Sequence, residues 1–147
     1  MKTRLTAIIF AMSAFTASAQ ESKPATPAAE TSKDPVKHAD AAGAKKLIDD
    51  SAAKKDGKVV VLDIRTPQEY KTGHIAGAVN VDFKEKDFAE KVAKLDKDKT
   101  YVVHCGGGGR STKSLETFKK LGFKAIVHLD NGFGSWQKAG LPVEKSK

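Results

Sequence analysis

From residue 36 onward, short runs of β-branched apolar residues alternate with stretches of helical spacing. Val59-Val60-Val61-Leu62 is apolar without interruption, the pattern of a strand buried on both faces. Thr100 to His104 and Ala125 to Leu129 repeat it, and Ala78 to Val81 reads as a shorter strand. Ala44, Leu47, Ile48 and Ala52 fall on one helical stripe; Asp40 is placed to cap that helix and Asp56-Gly57 to end it near Lys55. Phe88, Val92 and Leu95 predict a helix over Asp87 to Leu95. Ser111 to Leu121 predicts another, closed by Gly122, and Ser135 to Ala139 a short last one. Strands that alternate with helices imply an α/β fold, with a parallel sheet covered on both sides by its crossovers.

The first residues obey a different pattern. Lys2 and Arg4 precede an apolar run from Leu5 to Ala17, and Ala17-Ser18-Ala19 supplies the small residues a signal peptidase reads. Residues 1–19 are therefore expected to be a cleavable signal peptide, the run being too short to cross a bilayer as a helix. Residues 20–35, rich in Pro, Ala, Ser, Thr and charge, read as a disordered linker, and residues 36–147 as one domain. A periplasmic or otherwise exported protein with no membrane association after cleavage is the expectation.

Charge adds little. The formal net charge is +8, of which the signal supplies two, but the lysines from Lys84 to Lys99 alternate with acids as on a solvated helix face. Few aromatics interleave with them, so a nucleic-acid partner is not expected. The cysteine count matters more. Cys105 is alone, and an unpaired thiol in an oxidising compartment is a liability unless it is buried or used.

Its neighbours point to use. In Tyr101-Val102-Val103-His104-Cys105-Gly106-Gly107-Gly108-Gly109-Arg110-Ser111-Thr112 a buried strand ends at the cysteine, four glycines follow and a helix opens. The carboxyl ends of strands in an open α/β sheet are where ligands bind. Glycines let successive amides curl toward one point, and the helix start adds a positive dipole end. Arg110 adds a full charge with a planar fork of donors. All three effects favour thiolate over thiol.

With those residues in view, the chain resembles the rhodanese family. Cys105 to Ser111 looks like its active-site loop. The likeness extends through Asp63-Ile64-Arg65, Glu69-Tyr70, Gly73-His74-Ile75-Ala76-Gly77-Ala78, Leu121-Gly122-Phe123 and Leu129-Asp130-Asn131-Gly132-Phe133-Gly134-Ser135-Trp136. The resemblance implies a three-layer domain with a five-stranded parallel sheet. It also implies a double displacement, in which Cys105 takes sulfur from a small anionic donor such as thiosulfate and passes it from a persulfide to a thiol or cyanide acceptor. Cys105 would be catalytic. Arg110, Gly106, Gly107, Gly108, Gly109, Ser111 and Asp63 would bind substrate, and no metal or organic cofactor would be needed. Substituting Gly107 or Gly108 with Val is expected to disable the loop. Arg110 favours thiosulfate, while Gly106 is more like mercaptopyruvate-using members.

Other residues are expected in supporting roles. Arg65 and Glu69 read as an ion-pair network with Asp63, His74 and Trp136 as packing groups, and His104 as a buried histidine pointing away from the thiol. His38 and His128 show no ligand spacing, so no metal is expected. Two alternatives stay open. His104-Cys105 is typical of cysteine phosphatases, but those of rhodanese-like fold use Cys-x5-Arg, one residue and roughly 3.3–3.6 Å of chain longer. A non-enzymatic persulfide carrier, delivering to a protein acceptor of unknown identity, is the other.

Overall fold

The computed structural model describes residues 34–146; the predicted signal peptide and residues 20–33 of the predicted linker lie outside them. The elements in order are β1 (Val36–Ala39), α1 (Ala41–Lys54), β2 (Val59–Asp63), α2 (Pro67–Thr72), β3 (His74–Ile75), β4 (Val79–Asn80), α3 (Phe88–Ala93), β5 (Thr100–His104), α4 (Gly109–Lys120), β6 (Ala125–Leu129), α5 (Gly132–Lys138) and β7 (Val143–Glu144). Five strands form one parallel sheet in the order β1-β6-β5-β2-β4, and β3 pairs with β7 antiparallel. This is the α/β architecture that the alternating pattern implies.

Local chemistry sets the element ends. The Asp40 side chain accepts from the Gly43 amide at 2.8 Å, and α1 closes at Lys55 in the left-handed region. Thr66 and Glu69 form a reciprocal capping box on α2, with Pro67 where its missing N–H costs nothing. Helix α2 and the strands β1, β3 and β7 were not foreseen. Residues 36–39 read VKHA and are too polar to signal a strand, yet they pair along their length with β6. Pairing with a formed sheet, rather than local preference, makes β1.

Strand alternation divides the interior into two layers. Leu62, Ile64, Tyr101, Val103, Cys105 and Ile126 face α3 and α4, where they meet Phe88, Val92, Leu115 and Phe118. Val61, Val102, Val127 and Leu129 face α1 and α5, against Ala44, Phe133 and Trp136. Each large side chain buried in these layers stabilises the fold by roughly 1.5–3 kcal/mol. The parallel registers Asp63↔His104 and Ala39↔Leu129 bring the carboxyl ends of β1, β2, β5 and β6 to one edge. Cys105 follows the central strand of that edge.

Candidate active site

Cys105 leaves β5 on the face of Val103, while His104 turns to the opposite layer, as the strand period requires. Of the four glycines, Gly108 alone has positive φ, at 94°. That turn lets α4 open at Gly109, two residues earlier than expected, and so brings Gly109, Arg110 and Ser111 into the first helical turn. The Gly108 amide donates to Cys105 Sγ at 3.1 Å, and the Ser111 hydroxyl lies 3.6 Å from the same sulfur. The backbone amides of Arg110 and Ser111 also bear on it. Burial pushes the thiol up, but the Ser111 hydroxyl and these three amides together bring it below its ordinary value. Cys105 itself is 1% exposed, and the atoms around its sulfur are donors on the loop side.

The loop is held from behind by α5. The Phe133 and Gly134 amides donate to the carbonyls of Cys105 and Gly106 at 2.7 and 2.9 Å. Trans peptide geometry then sends the Gly106 and Gly107 N–H groups away from α5. Gly132, with φ of 55°, permits this approach. A Cβ there would sit 2.3 Å from the Cys105 carbonyl oxygen.

The charged residues pair differently from the network expected. Asp63 is fully buried and accepts from Arg65 Nε at 3.0 Å and Nη2 at 2.6 Å, and Nη2 also reaches the Gly73 carbonyl at 2.7 Å. Asp63 thus lies in the His104 layer, engaged by Arg65. Glu69 instead receives the fork of Arg110, at 2.8 and 2.7 Å, while still capping α2 through Thr66. Arg110 holds the Glu69 carboxyl down to about 2, with the Thr66 amide and hydroxyl assisting against burial. The pair lies over Gly106, whose notional Cβ would be 3.3 Å from Arg110 Nη2 and 3.6 Å from Glu69 Oε1. Arg110 also acts on the Cys105 sulfur through its charge.

The remaining predicted residues are placed as follows. His74 is buried, stacked on Tyr70 with ring centroids 3.8 Å apart, and its Nδ1 lies 3.0 Å from the Tyr70 carbonyl. Trp136 is core, and its indole donates to the Pro142 carbonyl. His104 is fully buried, its Nδ1 3.3 Å from the Cys105 carbonyl and its Nε2 without a hydrogen-bond partner among the described residues; burial lowers its pKa and keeps it neutral. A cleft of about 360 Å³ opens beside the loop, lined by Gly106, Gly107, Asn131, Gly134, Ser135 and Lys138. Larger hollows of about 650 and 570 Å³ are lined by other residues, none of them in the Cys105 loop.

One set of residues escaped the sequence reading. His128 is buried on the Cys105 side of β6, its Nε2 2.9 Å from Ser111 Oγ and its Nδ1 3.0 Å from Asp130 Oδ1. His38 Nδ1 approaches the same Asp130 oxygen at 2.8 Å. The His38 hydrogen bond, followed by that of His128, holds the Asp130 carboxyl below its usual range. The polar atoms of His38, His128 and Asp130 lie within 4.8 Å of one another, but as a hydrogen-bonded cluster: both His128 nitrogens already have partners. His128 and Asp130 share a strand face at a spacing of two, a signal visible in sequence. That β6 lies beside β5 was not.

Comparison with known proteins adds an independent line. A model of the rhodanese-like domain matches residues 41–139. Thiosulfate sulfurtransferase 16, chloroplastic, of Arabidopsis thaliana is 34% identical over 93 residues, covering 56% of this chain and 78% of its own length. Probable adenylyltransferase/sulfurtransferase MoeZ of Mycobacterium tuberculosis is 38% identical over 85 residues, 58% of this chain but 22% of its own length. Among solved structures, a rhodanese-related protein from Thermoplasma volcanium superposes with a TM-score of 0.63 at 32% identity, covering 74% of this chain and 98% of that one. A protein from Rhodopseudomonas palustris described as a possible tyrosine phosphatase superposes with a TM-score of 0.60 at 30% identity, covering 74% and 85%.

Proposed function

The chain belongs to the rhodanese-like domain family, and from that premise we propose that it is a sulfurtransferase working through a persulfide on Cys105. The observation that carries the reading is the Gly108 amide at 3.1 Å from Sγ, at the start of a helix whose dipole favours negative charge there. Rhodanese-like proteins act between sulfur donors and acceptors. With thiosulfate, the Cys105 thiolate attacks the outer sulfur, the S–S bond of the donor breaks and sulfite leaves with its electron pair. The persulfide anion remains, and the amides that faced the thiolate hold it. An acceptor thiolate or cyanide then attacks the outer sulfur and returns the Cys105 thiolate, with no net redox change. The cleft beside Gly106 and Gly107, with Lys138 in its lining, suits an anionic donor. Export to the periplasm completes the proposal, on the strength of residues 1–19.

The test is loading. Purified protein incubated with thiosulfate alone is expected to gain one sulfur atom by mass spectrometry, and Cys105→Ser to gain none. A Cys105→Ser variant that makes thiocyanate from thiosulfate and cyanide at the native rate would refute the mechanism.

A phosphatase reading has two points in its favour, the His104-Cys105 order and the structural likeness to a possible tyrosine phosphatase. The four-residue spacing to Arg110 and the engagement of its fork by Glu69 weigh against it, because a phosphoryl group needs that fork and a wider cradle. Aryl phosphate turnover measured beside thiocyanate formation separates the two.

A further inference from the structure

Contacts continue from Cys105 past Ser111 to the protein surface. Sγ lies 3.6 Å from Ser111 Oγ, Oγ 2.9 Å from His128 Nε2, and His128 Nδ1 3.0 Å from Asp130 Oδ1. Cys105, Ser111 and His128 are buried, whereas the Asp130 side chain is 44% exposed. An ionised carboxylate only accepts, so Nδ1 of His128 carries the hydrogen and Nε2 of the neutral ring is the acceptor. The Ser111 hydroxyl can donate to that nitrogen, to the Gly108 carbonyl at 2.8 Å or to the sulfur itself; in the first orientation its oxygen is open to a thiol proton. Thr112 Oγ1 lies farther from the same nitrogen, at 3.4 Å, and donates to Gly108 O.

We propose that Ser111, His128 and Asp130 form a proton relay that takes the thiol proton of Cys105 and holds it on His128. The S–H bond breaks as an O–H bond forms at Ser111, and the hydrogen already on Ser111 passes to His128 Nε2. One proton moves in net and no oxidation state changes. The resulting imidazolium is held by Asp130, and it turns the Ser111 hydroxyl so that its remaining hydrogen points to the sulfur anion. His128 and Asp130 are positioning residues, since of the three only Ser111 touches the sulfur. The inference deepens the sulfur-transfer reading and rests on it for its purpose, but its geometry involves no donor or acceptor.

The groups facing the His128 ring come from every neighbouring element. His38 on β1 makes an edge contact with ring centroids 5.0 Å apart, Asp130 follows β6, and Ser111 and Thr112 come from α4. Cys105 follows β5, and Arg110 of α4 sends its charge to the same sulfur while paired with Glu69 of α2.

Alkylation of Cys105 by iodoacetamide, followed by mass spectrometry across pH, reads the relay directly. In His128→Asn the midpoint of the alkylation profile is expected to rise by about one pH unit, so that labelling below it slows about tenfold. Asp130→Asn is expected to move the midpoint the same way by less. A merely structural role for His128 leaves the midpoint where it is. Native midpoints in both variants overturn the proposal. Should the buried His128 substitution fail to fold, Asp130→Asn, at a half-exposed residue, decides by the same criterion. Alkylation requires no sulfur donor. Failure of the native protein to load sulfur, with the midpoint shifts intact, would therefore refute the sulfurtransferase reading and leave the relay standing.

Discussion

Arg110 carries two opposed duties in this structure. Its fork closes on Glu69, yet its charge also bears on the Cys105 sulfur. Replacing Glu69 by Gln leaves Arg110 unneutralised over Gly106, so KM for thiosulfate is expected to fall roughly two- to fivefold, the scale of one partly exposed ion pair. Steady-state thiocyanate formation measures it. The same substitution has a pH signature. Because Glu69 is held to about 2 against an ordinary value of 4.5, its pairing stabilises the fold above the latter and is lost as pH falls through the former. The melting-temperature gap between the native protein and Glu69→Gln is thus expected to be full near neutrality and to close toward pH 2. None of this pairing was legible in sequence, where Glu69 stands nearer to Arg65 than to Arg110. Forty-one positions separate Glu69 from Arg110, and only the packing of α2 beside the Cys105 loop joins them.

At the scale of elements, the decisive contact is α5 against the Cys105 loop. Two amides of α5 hold the loop's first carbonyls, and Gly132 makes the approach possible. Gly132→Ala is therefore expected to lower both stability and sulfur loading, because a methyl 2.3 Å from a carbonyl oxygen must force the two elements apart. Gly108→Ala strains a residue at φ of 94° and is expected to slow loading, by at least tenfold. Gly107→Ala meets nothing within 4 Å among the described residues and needs no unusual φ, so near-native loading is expected there. Loading by mass spectrometry and thermal melts rank the three. Sequence reading sets Gly107 and Gly108 together as the sensitive positions, since both are capable of positive φ; of the two, only Gly108 adopts it. The conformation that each one adopts depends on where α5 draws the chain.

For the whole molecule, one sheet edge collects the carboxyl ends of β1, β2, β5 and β6, where Asp63 ends β2, Cys105 follows β5 and Asp130 follows β6. If residues 1–19 direct export, the protein isolated from the periplasm is expected to begin at Gln20, which N-terminal sequencing checks. Apolar runs and helical stripes were enough to reveal the α/β class, most helices and the strands β2, β5 and β6, because burial imposes its period directly on the residue pattern. Strand-loop-helix order marked Cys105, since the end of a buried strand is where such a sheet exposes its chemistry. Strand order was beyond that reach. Placing β6 between β1 and β5 puts His128 beside Ser111 and His38 beside Asp130, although β1 carries almost no strand signal of its own. Local pattern records which way each side chain faces; which distant groups it then meets is settled only when the layers close.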